Sequence, residues 1–384
     1  MSRIDKLIAG HCPDGVQYLT LSALCEYGVD RVALHTVGLG TYVGVENLLQ
    51  NAGGRVDASS LPTYGNAIRF AEGDVLIGNI RPYLKKVWLA DRAGGTNGDV
   101  LVLRIFDHYR DRLLPRFLYF LLSSDAFFAY DMKHAKGAKM PRGDKAAVMK
   151  FQIPVPPVAV QEEIVRVLDL FTTLEAELEA ELEARRRQYA HYRDSLLTFP
   201  EAEGVRWVPM GELADMGTGS RNTNEAVVGG LYPFFVRSQE PLTIDEYEFD
   251  ETAIITAGDG VGVGKVFHFV DGKYALHQRA YRIRASSGAL LPKFLFHFIR
   301  NDFARYLATT SVHASVTSLR KPMFEKYLVP VPPLGEQERI VAILDKFDAL
   351  VNDLSVGLPA ELAARRVQYG HYRDRLLTFE EAAV

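Results

Sequence analysis

Only two cysteines, Cys12 and Cys25, occur in 384 residues, and they form no CxxC pair. That excludes a disulfide framework and a zinc ribbon, and it predicts a reducing compartment. No run of eighteen apolar residues exists, so no transmembrane helix and no membrane partner is expected. The opening stretch MSRIDKLIAGHCPDG has no apolar core, which predicts a cytoplasmic protein. Catalytic signatures are also missing. There is no HExxH, no GxSxG, and no pair of acidic residues with a lysine suited to nuclease metals. GDGVGVGK (258–265) approaches a phosphate loop, but Asp259 and Val266 stand where Gly and Ser or Thr are needed. It reads as a glycine-rich β-turn. The PP pairs in VPPV and VPPL lack the Asp, Asn or Ser before and the aromatic after that a DNA amino-methyltransferase uses. No catalytic residue and no metal ligand is therefore assigned, and the chain is expected to bind and position.

What is present is an ordinary globular composition, 48% hydrophobic and 24% charged, long enough for two or three domains. The net charge of −4 hides a division. Residues 153–200 hold 5 basic against 9 acidic residues, and 329–384 hold 6 against 9. Residues 1–152 hold 19 against 15, and 277–328 hold 9 against 2. Such asymmetry suits one face for a polyanion and another for protein, although a solvated surface also carries charge runs.

The chain is a duplication. IPVPPVAVQEEIVRVLDLF (153–171) matches VPVPPLGEQERIVAILDKF (329–347) at 11 of 19 positions. AELEARRRQYAHYRDSLLTF (180–199) matches AELAARRVQYGHYRDRLLTF (360–379) at 16 of 20. The offset grows from 176 to 180, so the second copy holds four extra residues between the blocks. Fainter pairs precede them: DGVQYLTLSAL (14–24) with EGVRWVPMGEL (203–213), and LLPRFLYFLLSSDAF (113–127) with LLPKFLFHFIRNDFA (290–304). The order is variable domain, repeat, variable domain, repeat, with boundaries at 1–152, 153–199, 200–328 and 329–384.

Each repeat begins with rigid, extended PVPP and continues as a helix. Ile164, Leu168, Phe171, Leu174, Leu178, Leu182, Tyr189, Tyr192 and Leu196 form one stripe at steps of three and four, apart from the longer step from Leu182 to Tyr189. A narrow stripe on so long a helix needs a partner helix. The other copy is the nearest candidate, as an antiparallel coiled coil. Gly357 and Pro359 should bend or break the second helix. EAELEAEL (175–182) repeats a four-residue unit, so each unit would change the helix length by ~6 Å and act as a ruler. A good helix-forming sequence would look the same.

The variable domains show strand-like runs at 74–79, 86–91 and 99–106, then a helix over 115–134. The second domain repeats the plan at 253–258, 265–270, 280–285 and 292–307. Helical spacing assigns the Phe-rich residues to the core. Each domain then carries a polar loop. One holds Lys133, Lys136, Lys139, Arg142 and Lys145; the other holds Ser315, Thr317, Ser318, Arg320 and Lys321. Cations and hydroxyls suit phosphate oxygens and base edges. Further candidates are Arg81, Lys85 and Lys86 in a turn, Arg221 and Asn222 after a glycine pair, and Gln278 and Arg279. The acidic stretch EPLTIDEYEFDE (240–251) fits none of this.

The doubled PVPP…QE segment, the doubled ARR-QY-HYRD-LLTF segment and the EAEL tetrads resemble the DNA-specificity subunit of type I restriction–modification systems, over essentially the whole chain. The tetrads are similar to spacer-setting repeats of the type IC branch. The resemblance implies an α+β architecture: two globular α/β target-recognition domains joined by two long helices in an antiparallel coiled coil, with pseudo-twofold internal duplication. It implies a partner list of double-stranded DNA, two methyltransferase subunits and room for two restriction subunits. It implies no cofactor on this chain, since S-adenosylmethionine, ATP and magnesium belong to the partners. Only repeat residues carry over: Tyr189, His191, Tyr192 and Arg193, with Tyr369, His371, Tyr372 and Arg373, fall in the helix and subunit-docking region. The alternative reading is a coiled-coil adaptor bridging two non-DNA ligands.

Overall fold

The computed structural model describes residues 3–200, 204–310 and 318–382. The chain forms two compact units, one of Met1–Glu177 with Leu362–Val384 and one of Leu178–Glu361. Each unit therefore joins one variable domain to parts of both repeats.

The first unit has two four-stranded sheets. One runs Cys25–Tyr27, Val100–Ile105, Val75–Gly78, Val87–Leu89, all antiparallel. The other runs Arg31–Ala33, Asn66–Phe70, Gly94–Thr96, Tyr42–Val43, and its last pair is parallel. The second unit has one six-stranded sheet in the order Ala214–Thr218, Ala280–Ala285, Phe249–Ala257, Phe267–Leu276, Tyr232–Phe235, Leu242–Ile244. It too contains one parallel pair, Phe234 and Phe235 against Ala275 and Leu276. The strand runs read from the sequence are all strands. The Phe-rich helices supply the core as expected, with Phe117, Phe120, Phe127 and Phe128 buried in one unit and Phe294, Phe298 and Phe303 in the other. Both cysteines are buried and free.

One expected helix is two. Residues 115–134 split into Pro115–Leu122 and Asp125–His134. Ser124 takes an extended conformation and its hydroxyl accepts from Phe127 N, capping the second helix.

The repeat does the same local work twice. The chain enters each PVPP segment as a short strand, Gln152–Pro154 or Leu328–Val331, paired with the first strand of its own domain. Tyr18 lies opposite Pro154 in one unit and Trp207 opposite Pro330 in the other. A proline is tolerated at such an edge. The following glutamine is fully buried and bonded on every side. Gln161 accepts from Leu114 N and donates to Arg112 O and Pro156 O. Gln337 accepts from Leu291 N and donates to Ala289 O and Pro332 O. Each staples the start of a repeat helix to the LLP turn of its domain.

The first repeat is one helix of 39 residues, Val158–Leu196. In the first unit Phe171 packs on Tyr369 and Tyr372, while Glu175 pairs with Arg366. Position rises on one helix as it falls on the other, so the pairing is antiparallel. In the second unit Phe347 packs on Tyr189 and Tyr192, and Tyr189 donates to Asp348. The stripe is buried at Ile164, Leu168, Leu182 and Tyr189, but Leu174 is exposed. The second repeat breaks as Gly357 and Pro359 predict, into Leu334–Asn352 and Leu358–Leu376. Gly357 takes φ +90°, and Asp353 accepts from the backbone of Ser355 and Val356 in the gap. The four extra residues of this copy are accommodated by that break.

Candidate nucleic-acid interface

Both units build the same three-segment cluster beyond one end of their sheets. In the first, Asn79 N donates to Asp99 O and Gly143 N donates to Asn79 O. In the second, Gly258 N donates to Arg279 O and Leu319 N donates to Gly258 O. The connecting loops, NIRPYLKK (79–86) and GDGVGVGK (258–265), have equal length and both continue into a Lys-Val. Both contain a single 3-10 turn, Pro82–Leu84 and Gly260–Gly262. Both enter the left-handed region at the same two places: Arg81 and Lys85 in one, Gly260 and Gly264 in the other.

In the first unit this cluster gathers Arg81, Lys85, Lys136 and Arg142. Lys136 and Arg142 are bonded to each other through their backbones in both directions, which closes the 136–142 loop. Arg81 is exposed, and its N donates to Pro141 O. Its guanidinium has no ion pair among the described residues, and the same holds for the ammonium groups of exposed Lys133, Lys139 and Lys145. The other cations are tethered. Lys85 pairs with Asp125, Lys136 with Asp144 and Arg142 with Asp99. The Lys136 bond, with Ala147 N next, holds the Asp144 carboxyl down to about 2. Lys86 points elsewhere: it donates to Val45 O, and burial lowers its pKa.

In the second unit the structure brings together Asn222, Gln278, Arg279 and Ser318. Gln278 Nε2 donates to Asn222 Oδ1, and Gln278 N donates to Arg221 O. Ser318 forms a β-bridge with Asp259. Arg279 pairs with Asp259. Arg221 is held by Glu246 and then Glu225, whose bonds raise its pKa, so its charge is neutralised within the protein. Arg320 is exposed, and Lys321 sits 3.9 Å from Glu325. Ser315 and Thr317 lie outside the described residues. The acidic stretch now has an account. Glu246 holds Arg221, Glu248 accepts from Ser220 and Leu276 N, and Glu251 holds Arg282.

Sequence reasoning missed Arg237 and Asp259, which complete this cluster. The shared Lys-Val after two eight-residue loops would have aligned Asp259 with Ile80. Nothing in the sequence singles out Arg237.

The docking candidates divide by face. Tyr189 and Tyr369 are turned into the helix pairs, and Tyr192 and Tyr372 keep an exposed edge. Arg193 and Arg373 lie over the rings of Tyr189 and Tyr369, and each bonds the next aspartate. His191 and His371 are exposed. Among the described residues no cluster of His, Cys, Asp or Glu could hold a metal. No helix there is long and apolar enough to cross a membrane.

Comparison with known proteins places this architecture. Two sheet-based units built on a duplicated repeat match one known family. The family described as the type I restriction modification DNA specificity domain matches residues 41–184 and 203–364, and the chain belongs to that family. The role in that description is DNA specificity, not catalysis. The specificity subunit of the Escherichia coli type I enzyme EcoR124I/EcoR124II is 34% identical over 256 residues, 60% of this chain and 63% of that protein. The EcoprrI specificity subunit of E. coli is 28% identical over 271 residues, 66% of each chain. The chain thus spans about two thirds of the length of these relatives. The crystal structure of a type I system S subunit from M. genitalium has the same fold, with TM-score 0.59, 16% identity, and coverage of 94% of this chain and 96% of that one. None of these matches supports an adaptor of non-DNA ligands.

Proposed function

We propose that this chain reads a split DNA site for a type I restriction–modification system, one half-site per unit, from inside the cytoplasm. The observation that carries this is the cluster built twice on one backbone plan with different side chains. Equal scaffolds with unequal cations and amides suit two half-sites of different sequence. The repeats keep near-identical outward residues, His191 with His371 and Tyr192 with Tyr372, which suits two copies of one methyltransferase partner. In this reading the methyl donor, ATP and magnesium sit on partner subunits, and restriction subunits join the same assembly. The chain itself supplies only binding and spacing, and the EAEL tetrads set the gap.

The test is to co-express the chain with its methyltransferase partner and map methylated bases across the host DNA. A split motif with a fixed gap is expected. Replacing residues 200–328 with the corresponding domain of a relative should change one half only. A continuous motif, or a change in both halves, would overturn this reading.

A further inference from the structure

Asp259 sits between two arginines that approach from different segments. Arg237 Nη1 donates to Oδ1 at 2.7 Å, and Arg279 Nη1 donates to Oδ2 at 3.1 Å. The carboxylate is largely covered, at 22% exposure, while the arginines are 41% and 63% exposed. Two surface cavities flank it and share it. One of about 390 Å³ is lined by Arg237 and Val261, the other of about 360 Å³ by Gln278, Arg279 and Ser318.

The surrounding backbone is built to hold this arrangement. A Cβ on Gly258 would stand 2.6 Å from Arg279 O, and one on Gly262 would stand 2.7 Å from Arg237 O. The glycines of GDGVGVGK therefore let the loop lie against both arginine backbones. Buried His277 accepts from Arg279 N through Nδ1 at 3.0 Å. Burial, then the neighbouring Arg237 charge, lowers the His277 pKa and keeps it neutral. The bond from Arg237 comes first in holding the Asp259 carboxyl below its ordinary range, so it stays ionised.

We propose that Asp259 is a positioning residue that fixes Arg237 and Arg279 as a pair of guanine readers for the half-site of this unit. The proposal rests on the DNA-specificity reading above. A guanidinium carries five N–H donors. With one donor committed to Asp259, the rest can still present two parallel donors to guanine O6 and N7. The shared carboxylate also removes rotamer freedom before DNA arrives. A phosphate contact needs no such alignment, and a carboxylate beside it would repel the phosphate.

The experiment maps methylated bases for the full complex with wild-type chain, Arg237→Gln, Arg279→Gln, Asp259→Asn and Asp259→Glu, each checked by thermal melting. The wild-type motif is expected to contain guanine in the half-site changed by exchange of residues 200–328. Each arginine variant should lose about tenfold or more discrimination at one guanine. Asp259→Asn should loosen both positions, Asp259→Glu should recover part of the loss, and the other half-site should stay intact. An unchanged motif in both arginine variants overturns the proposal even if Asp259→Asn fails to fold, because both arginines are exposed. So does a half-site without guanine, or a uniform loss with a shallower salt dependence. A wild-type complex that yields no split motif overturns the specificity reading itself.

Discussion

Arg81 and Gly260 occupy the same position in equivalent loops, and both are left-handed, with φ +54° and +79°. A glycine takes that conformation freely, whereas an L-residue is disfavoured there by roughly 1–2 kcal/mol. The first unit thus keeps an exposed cation with no ion pair among the described residues, where its sister loop has glycine. Strain held at a surface position points to a use for the side chain. Arg81→Gly should leave stability unchanged or raise it by up to about 1 kcal/mol, since unfolded-state entropy offsets part of the relief. The same variant should weaken DNA binding by the assembled complex and reduce the salt slope by about one ion. Denaturant melts and binding at three salt concentrations decide it. Unaltered binding would remove Arg81 from the interface.

Asp131 gives a pH signature. Its side chain is buried, and its Oδ1 and Asn79 Oδ1 both lack a hydrogen-bond partner among the described residues. A Cβ on Gly143 would lie 2.5 Å from the first oxygen and 2.8 Å from the second, so only glycine fits between them. Burial raises the Asp131 pKa to about 6, with the His134 charge opposing and Asp144 adding. The folded state therefore holds this proton more tightly than the unfolded chain. That stability is present in acid and is lost as pH rises through about 6. Asp131→Asn, whose amide can donate to Asn79 Oδ1, should be more stable than wild type at neutral pH by on the order of 2 kcal/mol. The difference should shrink towards pH 4. A pH-independent difference would show that Asp131 is not the titrating group.

Much of the frame was legible because the same residues do the same job twice. Gln161 and Gln337 are identical since each must satisfy two carbonyls and one N–H in a closed space. Tyr189 and Tyr369 are identical since each covers the matching phenylalanine. The interface was legible only in part. Arg81 and Gly260 share a backbone conformation and no side-chain chemistry, so only the Lys-Val that ends both loops aligns them. Arg237 reaches Asp259 across a non-local contact that no period marks. The division at Ser123 and Ser124 was hidden because the Leu and Phe spacing runs straight through it.

The buried glutamines should be among the costly single changes in the repeats. Gln161→Ala leaves Leu114 N, Arg112 O and Pro156 O without partners in a closed site. A loss of about 2–4 kcal/mol is expected from the unpaired groups. Gln337→Ala should match it, because the three equivalent bonds exist there. Chemical denaturation of both variants measures this. A difference below about 0.5 kcal/mol would mean that water replaces the amide at no expense.

The EAEL tetrads lie in the uninterrupted middle of the 39-residue helix. Deleting residues 175–178 removes about 6 Å of helix and rotates the C-terminal remainder of that helix by about 40°. The equivalent zone of the second repeat already contains a break at 353–357, which can absorb a change in helix length. Glu175, which pairs with Arg366, is removed, but Glu179 of the next tetrad then follows Leu174 in its place, and a surface pair of this kind contributes at most about 1 kcal/mol. The units should therefore fold, and the gap between half-sites should shorten by about one or two base pairs at ~3.4 Å each. Both half-site sequences should be unchanged, because no residue of either loop cluster is touched. Methylation mapping of the deletion variant reads the gap directly. An unaltered gap would show that the tetrads are only a good helix-forming sequence, and that the spacing is set elsewhere.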